Sequence, residues 1–287
     1  MVEGIRPDLH RYCARLTGSV VEGEDIVQDA LAKALYALSL QPEVPPLRPW
    51  LFRVAHNQAM DWLKSHGRKH TEVRDDLEDV AGADDRPDPA VVRAALASFL
   101  ELPLTQRSAV ILKDVLGCSL EETAETMGTT VLAVKAALVR GRTRLAQPEA
   151  GETAEEAAPA AKANAETAAH DPSLRAALER YASLFNARDW DGVRALVGED
   201  CRLDLVSRSQ RRGKAVGMYF GRYEKEDVAL RVVELEGRLA LAAHVGGAAK
   251  SSYFILLDWE GGRVVAIRDF RYVAYIAAEA TMEPATA

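Results

Sequence analysis

Cysteine is scarce. The 287 residues hold three, Cys13, Cys118 and Cys201, and they lie far apart. Zinc sites and disulfide frameworks need close, repeated cysteine spacing, so neither is expected. Each cysteine reads as a buried apolar filler in a reducing cytoplasm. Long apolar runs are also missing, and none approaches the roughly 20 residues of a membrane span. The start Met1-Val2-Glu3-Gly4-Ile5-Arg6 has no apolar run behind a basic stretch. No signal peptide is therefore expected, and the reading is cytoplasmic, without a membrane partner. No glycine-rich phosphate loop of the nucleotide-hydrolase type occurs. No metal and no cofactor is expected. Positive charge is not in excess: the net charge is -7, which argues against a surface that binds nucleic acid everywhere. Charge acts locally, so its distribution matters more than its sum.

The length suits two or three domains. Residues 71–89 are acidic, with Gly82, Pro87 and Pro89, and residues 147–172 are almost all Ala, Glu, Thr and Pro. Both segments carry too little large apolar surface to fold alone and read as linkers. They leave blocks at 1–70, 90–146 and 173–280, with a tail at 281–287. The first two blocks read as helical. Val27, Leu31, Leu35 and Leu38 recur as one helix face, and Glu22, Glu24 and Asp25 suit that helix's N-terminal dipole. Pro49 fits the first turn of a helix running to about Lys64. On it Arg53, Asn57, Asp61 and Lys64 form a polar stripe opposite Leu51, Ala55, Ala59 and Trp62.

The third block opens with helical periodicity at Leu174, Leu178, Tyr181 and Phe185, then a short helix with Trp190, Val193 and Leu196. Strand-like runs follow at 201–207, 228–235, 238–245, 251–259 and 263–273, with Glu260-Gly261-Gly262 as a hairpin turn. The expected architecture is multidomain: two all-α modules, then an α+β domain of helices against a curled antiparallel sheet.

The strongest local motif spans 105–146. Thr105 can cap a helix that stops at Gly117; Ser119 and Glu122 make a capping box; Gly128 ends the next helix, and Thr129 or Thr130 caps the last. Two short helices across a glycine turn form a helix-turn-helix. The last helix carries Lys135, Arg140, Arg142 and Arg144 and no acid before Glu149, while Val131, Val134, Leu138 and Leu145 face inward. Such a helix can enter a major groove, its cations on phosphates and its first side chains at base edges.

These segments resemble the extracytoplasmic-function sigma factors of the sigma-70 family. GEDIVQDALAKAL (23–35) with RPWLFRVAHNQAMDWLKSHGRK (48–69) is similar to sigma region 2, and residues 102–145 to region 4. The resemblance implies a helix docking on core RNA polymerase through Asp25, Gln28, Asp29 and Lys33. It implies a helix after Pro49 facing the melted −10 element of promoter DNA. Arg53, Lys64, Arg68 and Lys69 are suited to its backbone and Asn57 to a base edge. Region 4 would read the −35 element through the helix beginning near Thr130.

A minimal member of that family ends soon after Leu145. The third block resembles the SnoaL-like branch of the NTF2-like fold, a cone of helices against a curved sheet, through FNARDWDGVRALVGEDCRLDLV (185–206) and the closing hairpin. The stretch RSQRRGKAVG (208–217) departs from a glycine-rich signature of one such subgroup. Asp204, Tyr253 and Arg268 are candidates for a pocket that takes an unidentified small molecule. Arg268 and Asp269 are adjacent and should point to opposite faces of a strand. No catalytic residue is assigned, because a fold resemblance does not license an activity. Three readings stay open: a sigma factor whose third domain regulates it through intramolecular contact; a fusion to a working isomerase- or cyclase-like enzyme; and a DNA-binding regulator independent of polymerase.

Overall fold

The computed structural model describes residues 2–40, 45–65, 96–146 and 171–284. The chain divides into two compact units, Met1–Ala158 and Pro159–Ala287.

In the first unit, α1 (Val2–Thr17), α2 (Val20–Leu40) and α3 (Leu47–Ser65) pack side by side. Ser19 caps α2, its Oγ accepting from the Glu22 amide at 3.3 Å. Glu24, expected at the start of this helix, lies beyond its first turn, fully buried and ion-paired with Arg6. The buried face of α2 runs through Ile26, Val27, Ala30 and Ala34. Leu35 is instead 67% exposed, although Val27 and Leu31 of the same stripe pack in or against the core. Pro49 lies in the first turn of α3, as its missing N–H predicts.

A 3-10 turn (Leu96–Glu101) leads into α4 (Leu104–Val110), which widens into a π-helical turn (Ile111–Val115) and stops before Gly117, at φ 69°. Thr105 does not cap α4. Pro103 holds the cap position at φ -53° with no side-chain cap. Then come α5 (Leu120–Met127) and α6 (Val131–Ala146). All these helices share one apolar core, in which Leu9, Tyr12 and Phe52 meet Val110, Val134 and Leu138. Arg107 fastens the two halves: it is buried and donates to the carbonyls of Leu16 (2.6 Å), Leu100 (2.8 Å) and Leu102 (2.9 Å). Leu16 lies in the last turn of α1, where carbonyls lack helical partners.

The second unit is α+β, as expected. Helices α7 (Pro172–Asn186) and α8 (Trp190–Leu196) precede β1 (Val197–Leu205), β2 (Ser209–Arg212) and α9 (Gly217–Tyr223). Strands β3 (Val228–Leu235), β4 (Arg238–Val245), β5 (Tyr253–Glu260) and β6 (Arg263–Asp269), helix α10 (Tyr275–Glu279) and β7 (Met282–Pro284) follow. Asp171 caps α7 and Asp189 caps α8 through their carboxylates. The sheet order is β2-β1-β6-β5-β4-β3-β7. It is mixed, a correction to the antiparallel expectation: β1 runs parallel to β6. The chain leaves β1, builds the meander β3 to β6, and returns beside β1, a long connection that parallel neighbours require. Gly261 (φ 56°) and Gly262 (φ 76°) form the expected tight turn between β5 and β6.

Candidate nucleic-acid interface

On α3, Arg53, Asn57, Asp61 and Lys64 are all exposed, while Leu51, Ala55, Ala59 and Leu63 are buried. The 3.6-residue period thus puts the polar stripe outward. Arg68 and Lys69 lie outside the described residues. The stripe is not bare. Arg53, His56 and Asn57 share a cleft of about 270 Å³ with Glu125, Thr126, Met127 and Gly128 from the end of α5. Arg53 and Glu125 also line a second hollow with Pro45, Pro46, Pro49 and Trp50. Sequence reasoning missed Glu125 and Thr126, because nothing local tells α5 where to pack. Below the stripe, the Tyr12 hydroxyl lies 2.6 Å from His56 Nδ1. Burial holds the His56 pKa down to about 4 from 6.5, so its imidazole is neutral near pH 7.

The helix-turn-helix forms as its signals require. Ser119 Oγ accepts from the Glu122 amide (3.0 Å) and Glu122 Oε2 from the Ser119 amide (2.8 Å), the reciprocal capping box. Gly128 closes α5 at φ 64°. Thr130 Oγ1 accepts from the Ala133 amide at 3.2 Å and stays exposed, at the start of α6. Gly141 lets α6 cross α4 closely, since a Cβ there would lie 2.7 Å from Val110 Cγ2. Lys135 and Arg140 are half-buried and Arg144 is exposed.

Arg142 departs from the expected cationic set. Its Nε and Nη2 bind the two carboxylate oxygens of buried Asp114 at 2.9 and 2.5 Å, and its side chain is 14% exposed. Two-point pairing fixes the guanidinium inside the fold and neutralises it there. One signal was legible: Arg142 stands four residues after Leu138, on the inward side of α6.

Along α2, Asp25 and Gln28 are half-buried, while Asp29 and Lys33 are exposed. The Lys33 ammonium donates to Gln58 Oε1 of α3. Leu35, which periodicity had placed on the apolar face, and Tyr36 and Leu40 beside it are each at least two-thirds exposed and give the end of this helix an apolar surface.

In the second unit the three pocket candidates do not converge. Asp204 and Arg268 sit opposite each other on β1 and β6, 3.8 Å apart. Arg268 pairs in register with Leu256 and Asp269 with Ile255, and Ile255 belongs to the core. Adjacent strand residues alternate, so Asp269 and Tyr253 face inward and Asp204 and Arg268 outward. The inward group is a closed network. Tyr219 and Tyr223 donate to Asp269 Oδ2 at 2.9 and 2.7 Å, and the Arg271 amide donates to Oδ1 at 2.9 Å. Tyr253 reaches the Tyr223 hydroxyl at 3.1 Å. Burial raises the Asp269 pKa against these donors and pushes the Tyr253 phenol up to about 12. Both carboxylate oxygens are therefore committed: Oδ2 holds helix α9 on the sheet, and Oδ1 fastens the turn that follows β6. Among the described residues, no group of three His, Cys, Asp or Glu could hold a metal ion, and no helix is long and apolar enough to cross a membrane.

Residues 1–69 match sigma-70 region 2 and residues 93–145 match sigma-70 region 4. The extracytoplasmic-function (ECF) RNA polymerase sigma factor SigG of Mycobacterium tuberculosis is 29% identical over 220 residues, 66% of this chain and 56% of SigG. The chain thus spans a little over half the length of that relative. SigM of Mycobacterium tuberculosis, also an ECF RNA polymerase sigma factor, is 34% identical over 48% of this chain and 70% of SigM. Among solved structures, the extracytoplasmic-function sigma factor SigJ of Mycobacterium tuberculosis is similar over 93% of this chain and 94% of its own, at 23% identity and a TM-score of 0.36.

Proposed function

From the premise that this chain belongs to the extracytoplasmic-function RNA polymerase sigma factors, we propose that it binds core RNA polymerase and directs it to promoters. Its modules are taken as 1–70 (region 2), 90–146 (region 4) and 173–280, joined by linkers 71–89 and 147–172. Helix α3 meets the melted −10 element, with Arg53 and Lys64 on the backbone and Asn57 at a base edge. Helix α6 enters the major groove at the −35 element, with Thr130 and Lys135 at its leading end and Arg144 on phosphates. Asp25, Gln28, Asp29 and Lys33 face the polymerase. The observation that carries this reading is the pairing of two surfaces in one unit: an exposed polar stripe on α3 and a capped helix-turn-helix with an exposed N-terminal reading end. Both surfaces are exposed and therefore accessible to a partner.

The sigma-factor family is not an enzyme family, and the third domain is proposed to regulate transcription through contact with the sigma modules, with or without a small ligand. The inward commitment of Asp269 supports a structural role for its phenol network over acid–base chemistry, which needs a carboxyl free to meet substrate. The test is co-purification: tagged full-length protein mixed with core polymerase should form a stoichiometric complex that binds a promoter-bearing duplex in preference to a scrambled one. A protein that prefers the same duplex without polymerase, and never joins it, would be an independent DNA-binding regulator.

A further inference from the structure

From Arg202 to Arg222 the chain carries six cations and one carboxylate, Asp204, within a protein of net charge -7. The fold gathers part of this stretch along one edge. Arg211 and Arg212 stand on β2, the outermost strand of the sheet, and both are exposed. In register, Arg212 lies directly opposite Arg202. Opposed residues share a face, and like charges placed so destabilise a sheet. The arrangement costs the domain stability, so its use lies outside the domain. Among the described residues, no carboxylate pairs with Arg211 or Arg212. At the end of the same strand pair, the Arg208 guanidinium sits 4.7 Å over the Tyr272 ring, and Arg222 donates to the Tyr272 hydroxyl at 2.5 Å. The ring fixes a further cation beside the edge.

We propose that this arginine edge binds the phosphate backbone of duplex DNA, giving the third domain its own non-specific DNA contact; the choice of DNA rests on the sigma-factor reading. Guanidinium groups stay charged at every accessible pH and bind phosphate oxygens in two-point geometry. A strongly positive edge on an acidic molecule also creates a local field that the net charge conceals. Duplex DNA is the favoured polyanion because residues 147–170 tie this domain to modules that hold it. A chain of that length spans at most on the order of 80 Å, so bound DNA stays at high effective concentration.

The test uses the full chain and its Arg211→Ala/Arg212→Ala double variant. Affinity for a duplex of random sequence is measured over a series of salt concentrations, with the protein alone. Each lost phosphate contact lowers the slope of log affinity against log salt by about 0.9. The double variant should lose nearly two units, and the Arg211→Lys/Arg212→Lys variant should keep most of the slope. Circular dichroism should be the same for all three. An unchanged slope in the alanine variant overturns the proposal. So does loss of core-polymerase affinity, or of binding to vesicles of anionic lipid, with the DNA slope intact, since the edge would then serve a protein or a membrane. Promoter preference of the reconstituted holoenzyme is read separately. If it is absent in the wild-type chain, the sigma-factor reading fails, while the salt slope still decides the arginine edge.

Discussion

Arg142 and Arg144 stand two residues apart on α6 and meet different surroundings. Arg142 is locked onto buried Asp114, while Arg144 is exposed. Removing one partner of a buried pair leaves the other charge without compensation, at about 3 kcal/mol. Arg142→Ala should therefore lower the urea midpoint of the first unit markedly. Arg144→Ala should leave that midpoint in place and reduce the salt slope of DNA binding by nearly one unit. The reverse pattern would assign Arg142 to DNA. A run of cations on one helix was legible in the sequence; which of them the fold consumes was not, because Asp114 approaches Arg142 only through tertiary packing. His56 makes a second prediction. The folded unit holds its pKa near 4, against 6.5 for the free side chain, so the unfolded chain takes up the proton first. Its contribution is present in full above pH 6.5 and is lost as pH falls towards 4. The amount is on the order of 3 kcal/mol. Urea midpoints measured at pH 7 and pH 5 should differ in the wild type and differ much less in His56→Gln. Equal pH dependence in both would exclude His56 as the cause.

Elements were legible where their signals are local. The capping box at Ser119, the left-handed Gly128 and the turn at Gly261-Gly262 all rest on residues within a few positions of each other. Faces were less legible. In α2 both Val27-Leu31-Leu35 and Ile26-Ala30-Ala34 are apolar stripes; the fold buries all of the second but only Val27 fully in the first, leaving Leu35 exposed, and the neighbouring helices decide this. Likewise β1 reads as a strand, but its parallel pairing with β6 depends on residues about 60 positions away in the chain. The crossing of α4 and α6 gives an element-scale prediction. Gly141→Ala gains helix propensity of about 1 kcal/mol but drives a methyl into Val110 Cγ2. Overpacking of this kind costs about 1–3 kcal/mol. A net loss of stability is expected in thermal unfolding, relieved by Val110→Ala in the same chain. A stabilised Gly141→Ala would mean that the two helices can move apart freely.

At the scale of the molecule, the sequence divides into three blocks, and the first two fold onto one apolar core fastened by Arg107. That shared core is the feature linkers and composition could not reveal, since it joins residues 91 positions apart. It also places α5 beside the polar stripe of α3, where Arg53 and Asn57 share a cleft with Glu125. The third domain follows both modules, and deleting residues 173–287 should change transcription activity while leaving core-polymerase affinity intact. Equal activity at equal affinity would remove regulation as its role. The most direct measurement of the sigma-factor reading is run-off transcription by core polymerase on templates chosen from a random pool by the reconstituted holoenzyme. Discrete transcripts should appear with this protein, vanish without it, and weaken when Asn57 or Thr130 is changed to Ala. Absence of promoter-dependent transcripts, with polymerase shown to be active alongside another sigma factor, would contradict it.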